Sequence, residues 1–334
     1  MKKGVSIIIC CYNSASRLHN TLRHIFNQKV PDEIPWELII VNNNSTDSTK
    51  EIAIAEWGEC NRKASFQLVD EPKPGLSYAR KAGISAAKYT YSIFCDDDNW
   101  LDSEYVHIAY NVIVSNPSIG MLGGQSESVC EINEPEWFEE KKCYYAVGKQ
   151  AGASCDVTTR GYLWGASIVL RTEVLRSIYS AKINSLLTDR TGNDLSSGGD
   201  AEISKWLILL GYRLWYDERL LFKHYIPKER LTSDYFDNLM KGQEKSSAIL
   251  LSYKRYLYYK EYLSNHSKIL LLFKTLLKVF FIKLGLRKYT VNRNHIFQNL
   301  QLCLNSYFHW DHTLAKIQIE MKKLNEVQKA PLMM

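Results

Sequence analysis

The chain opens on an apolar, largely β-branched run from Val5 to Cys11, the pattern of a strand covered on both faces. Tyr12-Asn13-Ser14 ends it. Leu18, Leu22, Ile25 and Phe26 follow at i, i+4, i+7 and i+8, which predicts a helix. Pro31 and Pro35 punctuate the next loop, and Trp36 to Val41 reads as a second strand. The polar turn Asn42 to Asp47 leads into a helix expected from about Asp47 to Trp57. Phe66 to Val69 is a third strand. A helix from about Leu76 to Lys88 carries Ala79, Gly83, Ala86 and Ala87 as small residues on one face, and Tyr91 to Cys95 is a fourth strand. Strand and helix thus alternate, which predicts an α/β fold with a mostly parallel central sheet flanked by helices. Ligands of such sheets bind beyond the carboxyl ends of the strands. Tyr12-Asn13, Asn42 to Asn44 and Asp96 to Asp98 all fall there.

Further on, the pattern predicts a helix from Tyr105 to Val114 and strands over Ile119 to Gly124 and Gly165 to Leu170. A Ser/Gly/Asp-rich loop covers Thr188 to Gly199. A helix from Ala201 to Leu210 and two short strands, Arg213 to Tyr216 and Leu220 to Lys223, come next. From about Leu231 the chain reads as helical. The expected division is 1–228 for the α/β domain and 229–334 for a helical C-terminal extension. With 334 residues, 46% of them hydrophobic, the chain is long enough for both parts. A formal charge of +6 is too small to argue for nucleic acid. The eight cysteines form no C-x-x-C pair, so free thiols in a reducing cytoplasm are expected. Met1-Lys2-Lys3 and the apolar run after it imitate a signal peptide. The run is short and turns polar without a cleavage site, so it is assigned to the first strand.

The acidic trio Asp96-Asp97-Asp98 carries the chemistry. Like charges this close need a counter-charge. Hard oxygen ligands select Mg²⁺ or Mn²⁺, which usually complete their shells with substrate phosphates. The competing reading is an acidic turn that caps the helix opening at Asp102 and Ser103.

Six stretches together resemble the family 2 glycosyltransferases, which have the GT-A fold. They are Val5 to Asn13; Val41 to Asp47; Gly75 to Ile84, reading GLSYARKAGI; Phe94 to Asn99, reading FCDDDN; Gly165 to Arg171; and Gly198 to Glu202, reading GGDAE. The resemblance covers about 225 residues and implies inverting transfer of a sugar from a nucleotide-sugar donor to an acceptor hydroxyl. It implies that Asp96 and Asp97 meet the donor, with Asp98 holding Mn²⁺ or Mg²⁺ on the diphosphate and Arg80 beside the phosphates. Tyr12, Asn13, Asn42 and Asn44 would line the base and ribose pocket. Asp200 would be the general base, with Glu202 as fallback near the acceptor; a plain N-cap is the competing role for Asp200. His224, at a strand end, is a second metal candidate, since imidazole suits Mn²⁺. Trp137, Phe138, Tyr145 and above all Trp164 are candidates to stack on acceptor sugar rings, against the commoner role of core aromatics.

Three positions depart from the family pattern: Asn42 for an aspartate, Lys81 for an asparagine, and Gly199 for a glutamate. No glycine-rich phosphate loop or G-x-G-x-x-G follows the first strand, which argues against a nucleotidyltransferase or a dinucleotide-dependent oxidoreductase. A catalytically silent nucleotide-sugar-binding partner of a membrane glycan-assembly complex stays open. The family's habits point to a glycan or lipid-linked acceptor in bacterial surface polysaccharide or lipopolysaccharide synthesis. The stretch Lys268 to Lys288 is apolar over nearly a bilayer span but holds Lys274, Lys278 and Lys283. Each costs about 2.5–3.5 kcal/mol at mid-membrane. Peripheral contact with the inner face of the cell membrane is therefore expected rather than a span, and a helix packed on protein is the alternative.

Overall fold

The structure is a computed structural model. It describes residues 1–60, 64–187, 189–190 and 197–265, with isolated positions from 273 to 326. The chain forms two compact units, Met1–Ser246 and Ser247–Met334. The expected membrane-facing stretch Lys268 to Lys288 lies outside the described residues apart from Phe273 and Leu277. Among the described residues no helix is long and apolar enough to cross a membrane. In the second unit, Tyr253, Ile317 and Leu324 are buried.

The first unit alternates as predicted: β1 (Lys2–Cys11), α1 (Leu18–Phe26), β2 (Trp36–Asn42), α2 (Thr49–Gly58), β3 (Ser65–Asp70), α3 (Leu76–Ala86) and β4 (Tyr89–Asp96). There follow β5 (Asn99–Leu101), α4 (Tyr105–Ser115), β6 (Ile119–Cys130), α5 (Phe138–Lys141), β7 (Cys155–Asp156), β8 (Ile168–Arg171), α6 (Thr172–Ser180), α7 (Gly199–Leu209), β9 (Arg213–Ile226) and α8 (Ser233–Asn265). The sheet order is β3-β2-β1-β4-β8-β6-β9-β5, with β7 pairing on β9. The half from β3 to β4 is parallel. Beyond it β8 runs antiparallel to both β4 and β6, while β6 and β9 are parallel. The sheet is therefore mixed, with its long ladders parallel as predicted and only short ones antiparallel.

The core follows the pattern. Ile7, Ile9, Leu38 and Ile40 face Leu18, Leu22 and Ile25 of α1 in one apolar cluster. On the opposite face α3 lies so close to β1 that a Cβ on Gly83 would come 2.4 Å from Ile8 Cγ2. The small-residue face of α3 is what permits this approach.

Two readings of the later chain change. The short strands Arg213 to Tyr216 and Leu220 to Lys223 are one continuous strand, β9, which pairs along the whole of β6. The register slips between Gly123 and Gln125, where a Cβ on Gly124 would lie 1.9 Å from the Leu220 carbonyl oxygen. A side chain there would forbid the pairing. Phe138 and Tyr145, considered as sugar-stacking residues, instead form a second apolar cluster with Val147, Ile226, Leu231 and Leu239. Trp137 packs against that cluster. Burial of the Phe138 and Tyr145 rings removes these two from any acceptor, while Trp137 is half-buried.

Candidate active site

The turns after β1 and β2 are laced together at the carboxyl edge of the sheet. Asn13 and Asn44 both take left-handed backbone conformations, φ 49 and 58, which asparagine tolerates better than most residues. Asn13 Oδ1 accepts from the Thr46 amide at 2.9 Å, and the Asn13 amide donates to Ser45 Oγ at 3.1 Å. Asn43, buried, accepts from the Gly75 amide at 2.8 Å and so fixes the turn into α3. Of the residues expected to line a nucleoside pocket, Asn13 is thus engaged in the lacing, whereas Tyr12 (43% exposed) and Asn44 stay open to solvent. Asn42 Nδ2 donates to Asp70 Oδ1 at 2.9 Å, and Lys50 Nζ meets Asp70 Oδ2 at 2.7 Å. These two donors hold the Asp70 carboxyl below the usual carboxylate range. A carboxylate therefore stands beside Asn42, on the neighbouring strand.

The acidic trio divides its labour. Asp97 is buried and turns to α1: Arg17 Nη2 donates to it at 2.7 Å, the Ser14 hydroxyl donates to the same oxygen, and Thr21 Oγ1 donates to the Asp97 carbonyl at 2.8 Å. This anchors the turn and corrects the expectation that Asp97 faces a donor. Asp98 is buried beside β9 and the turn that follows it. Its Oδ1 lies 3.5 Å from His224 Nε2 and its Oδ2 accepts from Arg230 Nη1 at 2.9 Å. Burial alone would raise its pKa, but His224 and Arg230 outweigh burial and hold the carboxyl far below the usual range. Burial pushes Asp96 up to about 6; the Asp98 charge adds to the rise and Arg80 opposes it.

Arg80, on α3, is 5% exposed. Its Nη1 lies 3.4 Å from Asp189 Oδ2, and Asp96 and Asp200 add to the field that keeps it charged despite burial. Asp200 sits in the first turn of α7, one residue inside the helix. Its Oδ2 accepts from the Gly165 amide at 2.6 Å and its Oδ1 from the Ala201 amide at 2.8 Å. Gly165 and Gly199 leave room for these side chains: Cβ atoms there would come 2.9 Å from Arg80 Nη2 and 2.4 Å from Asp189 Oδ2 and would push them aside. Glu202 does not join this group. It is 0% exposed, with its carboxylate accepting from the Leu186 amide at 2.9 Å and from the Ser185 hydroxyl. That burial overturns the expectation of an acceptor contact. Lys81 is exposed on the far side of α3 from Ala79 and Gly83.

The structure thus brings Asp96, Arg80 and Asp200 together, and separately Asp98 and His224. Reading the sequence did not find Arg17, Asp189 or Arg230, because each lies in a turn or helix end with no motif of its own. Among the described residues there is no group of three or more His, Cys, Asp and Glu side chains that could hold a metal. In the Asp98–His224 pair it is Nε2 that faces the carboxylate, whose other oxygen Arg230 holds, while the buried His224 Nδ1 has no hydrogen-bond partner; a metal there would have at most these two protein ligands.

The family model for glycosyl transferase family 2 matches residues 6–178, more than half of the chain. The chain belongs to this family. Among relatives, the poly-beta-1,6-N-acetyl-D-glucosamine synthase of Staphylococcus epidermidis is 29% identical over 123 residues, 36% of this chain and 28% of that protein. The cholesterol galactosyltransferase of Borreliella burgdorferi is 32% identical over 110 residues, 33% of this chain and 29% of that protein. The aligned stretch therefore spans less than a third of the length of these relatives. Among solved structures, S. aureus TarS in complex with UDP-GlcNAc superimposes with a TM-score of 0.52 at 17% identity, covering 98% of this chain and 79% of that one. The family 2 chain has the GT-A fold that its motifs imply.

Proposed function

We propose that the protein is an inverting glycosyltransferase that moves a sugar from a nucleotide diphosphate sugar to an acceptor hydroxyl in cell-envelope polysaccharide synthesis. The observation that carries this reading is the convergence of Asp96, Arg80 and Asp200 at the carboxyl edge of the sheet. The leaving nucleoside diphosphate gains charge as the glycosidic bond breaks. A fixed guanidinium there stabilises that charge more in the transition state than in the ground state. Asp200 suits the other half of the reaction. Two backbone amides orient its carboxylate, and a carboxylate has further lone pairs to accept the acceptor's proton. The acceptor oxygen then bonds to the anomeric carbon as the bond to the diphosphate breaks, which inverts the configuration. Asp98 and His224 would hold Mg²⁺ or Mn²⁺, which would add charge stabilisation at the diphosphate.

The relatives named as polysaccharide synthases support the polymer-building role, and the likeness to a structure solved with UDP-GlcNAc makes UDP-sugars the first donors to test. Titration of nucleoside diphosphates and nucleotide-sugars, with and without Mn²⁺, should show binding of at least one. Asp200→Asn should then keep that affinity and lower turnover by about 10²-fold or more, as for a lost general base. Failure of every nucleotide to bind would refute the reading. Binding with no turnover on any acceptor would leave a silent nucleotide-sugar-binding protein.

A further inference from the structure

Beside Asp200 the chain from Arg160 to Gly165 leaves a short helical turn through a left-handed Gly161 and is stapled along α7. The Gly161 carbonyl accepts from Lys205 Nζ at 2.7 Å, the Leu163 amide donates to Ser204 Oγ at 3.4 Å, and the Gly165 amide donates to Asp200 Oδ2. Gly161, Leu163 and Gly165 are buried. Tyr162, by contrast, is exposed and Arg160 and Trp164 are half-buried, and the three side chains meet on one face. On that face the Arg160 guanidinium lies 4.5 Å from the Tyr162 ring centroid and 5.2 Å from that of Trp164. Gln150 completes the arrangement: its carbonyl accepts from Arg160 Nη1 at 2.7 Å and its Oε1 accepts from the Trp164 amide at 2.9 Å. Among the described residues no carboxylate pairs with Arg160. The nearby Asp156 is taken by Arg213 at 2.6 Å.

We infer that this face receives the acceptor, and that the acceptor is a saccharide carrying a carboxylate or a phosphate. The inference rests on the reading of Asp200 as the base. A guanidinium has five N–H donors in its plane, and only one is committed to Gln150. Both ring centroids lie within 5.2 Å of its centre, and the remaining N–H donors suit a carboxylate or phosphate bound in bidentate fashion. Two aromatic rings and a backbone carbonyl already fix the side chain, so binding sacrifices little of its freedom. Tyr162 and Trp164 offer apolar faces to the sugar ring itself. Trp164 immediately precedes the glycine whose amide holds Asp200, which ties this face to the loop that positions the group that would take the proton.

The test is titration calorimetry on the full chain with UDP present, using methyl glucoside, glucuronate, glucose 6-phosphate and inorganic phosphate. At least one of the two anionic sugars should bind about tenfold tighter than methyl glucoside, in the range of a charge-assisted hydrogen bond. The preference should weaken as salt rises. Which of the two binds tighter separates carboxylate from phosphate. Arg160→Gln should abolish the preference and Arg160→Lys should keep part of it, with thermal midpoints near that of the unmutated chain. Equal or undetectable binding of all three sugars, or a preference that survives Arg160→Gln, overturns the inference. Should Arg160→Gln fail to fold, an undiminished preference in Arg160→Lys at high salt overturns it equally. Inorganic phosphate binding as tightly as glucose 6-phosphate overturns the saccharide part. Absence of UDP binding in the same titrations would refute the glycosyltransferase reading itself, whereas UDP binding without an anionic preference refutes only this inference.

Discussion

Arg80→Met removes one charge from the centre of the site while keeping a side chain of similar length. In the structure Arg80 is 5% exposed and its Nη1 lies 3.4 Å from Asp189 Oδ2. At an effective dielectric of about 20, a pair at that spacing attracts by roughly 5 kcal/mol before desolvation is subtracted. Removing one partner of a buried pair costs about 3–5 kcal/mol, because the other charge is left uncompensated. Here three carboxylates, Asp189, Asp96 and Asp200, lose their shared cation. The loss has a pH signature. Burial raises Asp189 above the ordinary range and Asp96 to about 6, and Arg80 opposes both shifts. A carboxyl whose folded pKa is raised stabilises the fold fully below its unfolded value, and that contribution is lost as pH climbs through the folded value. Without Arg80 the folded values rise further, so the loss continues above pH 6. Urea unfolding should therefore show a small deficit for Arg80→Met near about pH 5 and a deficit of about 3 kcal/mol or more near about pH 8. Nucleoside diphosphate affinity at the higher pH should fall as well. A deficit under about 1 kcal/mol at the higher pH, or the same deficit at both, would refute the assignment of Arg80 as the common counter-charge.

Asp98→Ala should abolish any strengthening of nucleoside diphosphate binding by Mn²⁺, measured by paired titrations with and without the metal; an unchanged metal effect would move the ligand role elsewhere. Gly165→Ala places a Cβ 2.9 Å from Arg80 Nη2 and 3.0 Å from Asp200 Cβ. Overpacking of this kind costs about 1–3 kcal/mol, so the thermal midpoint should drop and turnover should fall by about tenfold or more as Asp200 is displaced. Wild-type midpoint and turnover together would show that the turn has room for a methyl group.

The alternating first hundred residues were legible because each element has a strong period or a continuous apolar run, and each motif lies at a strand end. Asp96 was found for that reason, whereas Arg80 in α3 and Asp200 in the first turn of α7 were legible only through their match to the family's motifs. Where the reading failed, local pattern was silent. β5 has three residues, too few to show a period. β6 continues through polar Gln125, Ser126 and Glu127, which look like loop until β9 is seen to pair with them. Glu202 is two residues from Asp200 and equally acidic, yet one faces the site and the other the interior. Only the helix phase and the position of Ser185 decide which. For Phe138 and Tyr145 the sequence left core and sugar-stacking roles both open, because the residues that bury them, Ile226, Leu231 and Leu239, come much later in the chain.

The ion pair between Asp98 and Arg230 joins residues 132 apart. A chain emerging from the ribosome can complete β1 to β4 and display the acidic trio, but Asp98 meets neither His224 nor Arg230 until β9 has docked beyond β6. An incomplete chain therefore carries the Asp98 carboxylate without its two partners, and it should hold nucleotide poorly. Ligand affinity in this protein doubles as a measure of maturation. A nucleotide that binds only the finished molecule also draws the last strand home by mass action, so its concentration during synthesis would govern how much of the protein reaches its final form.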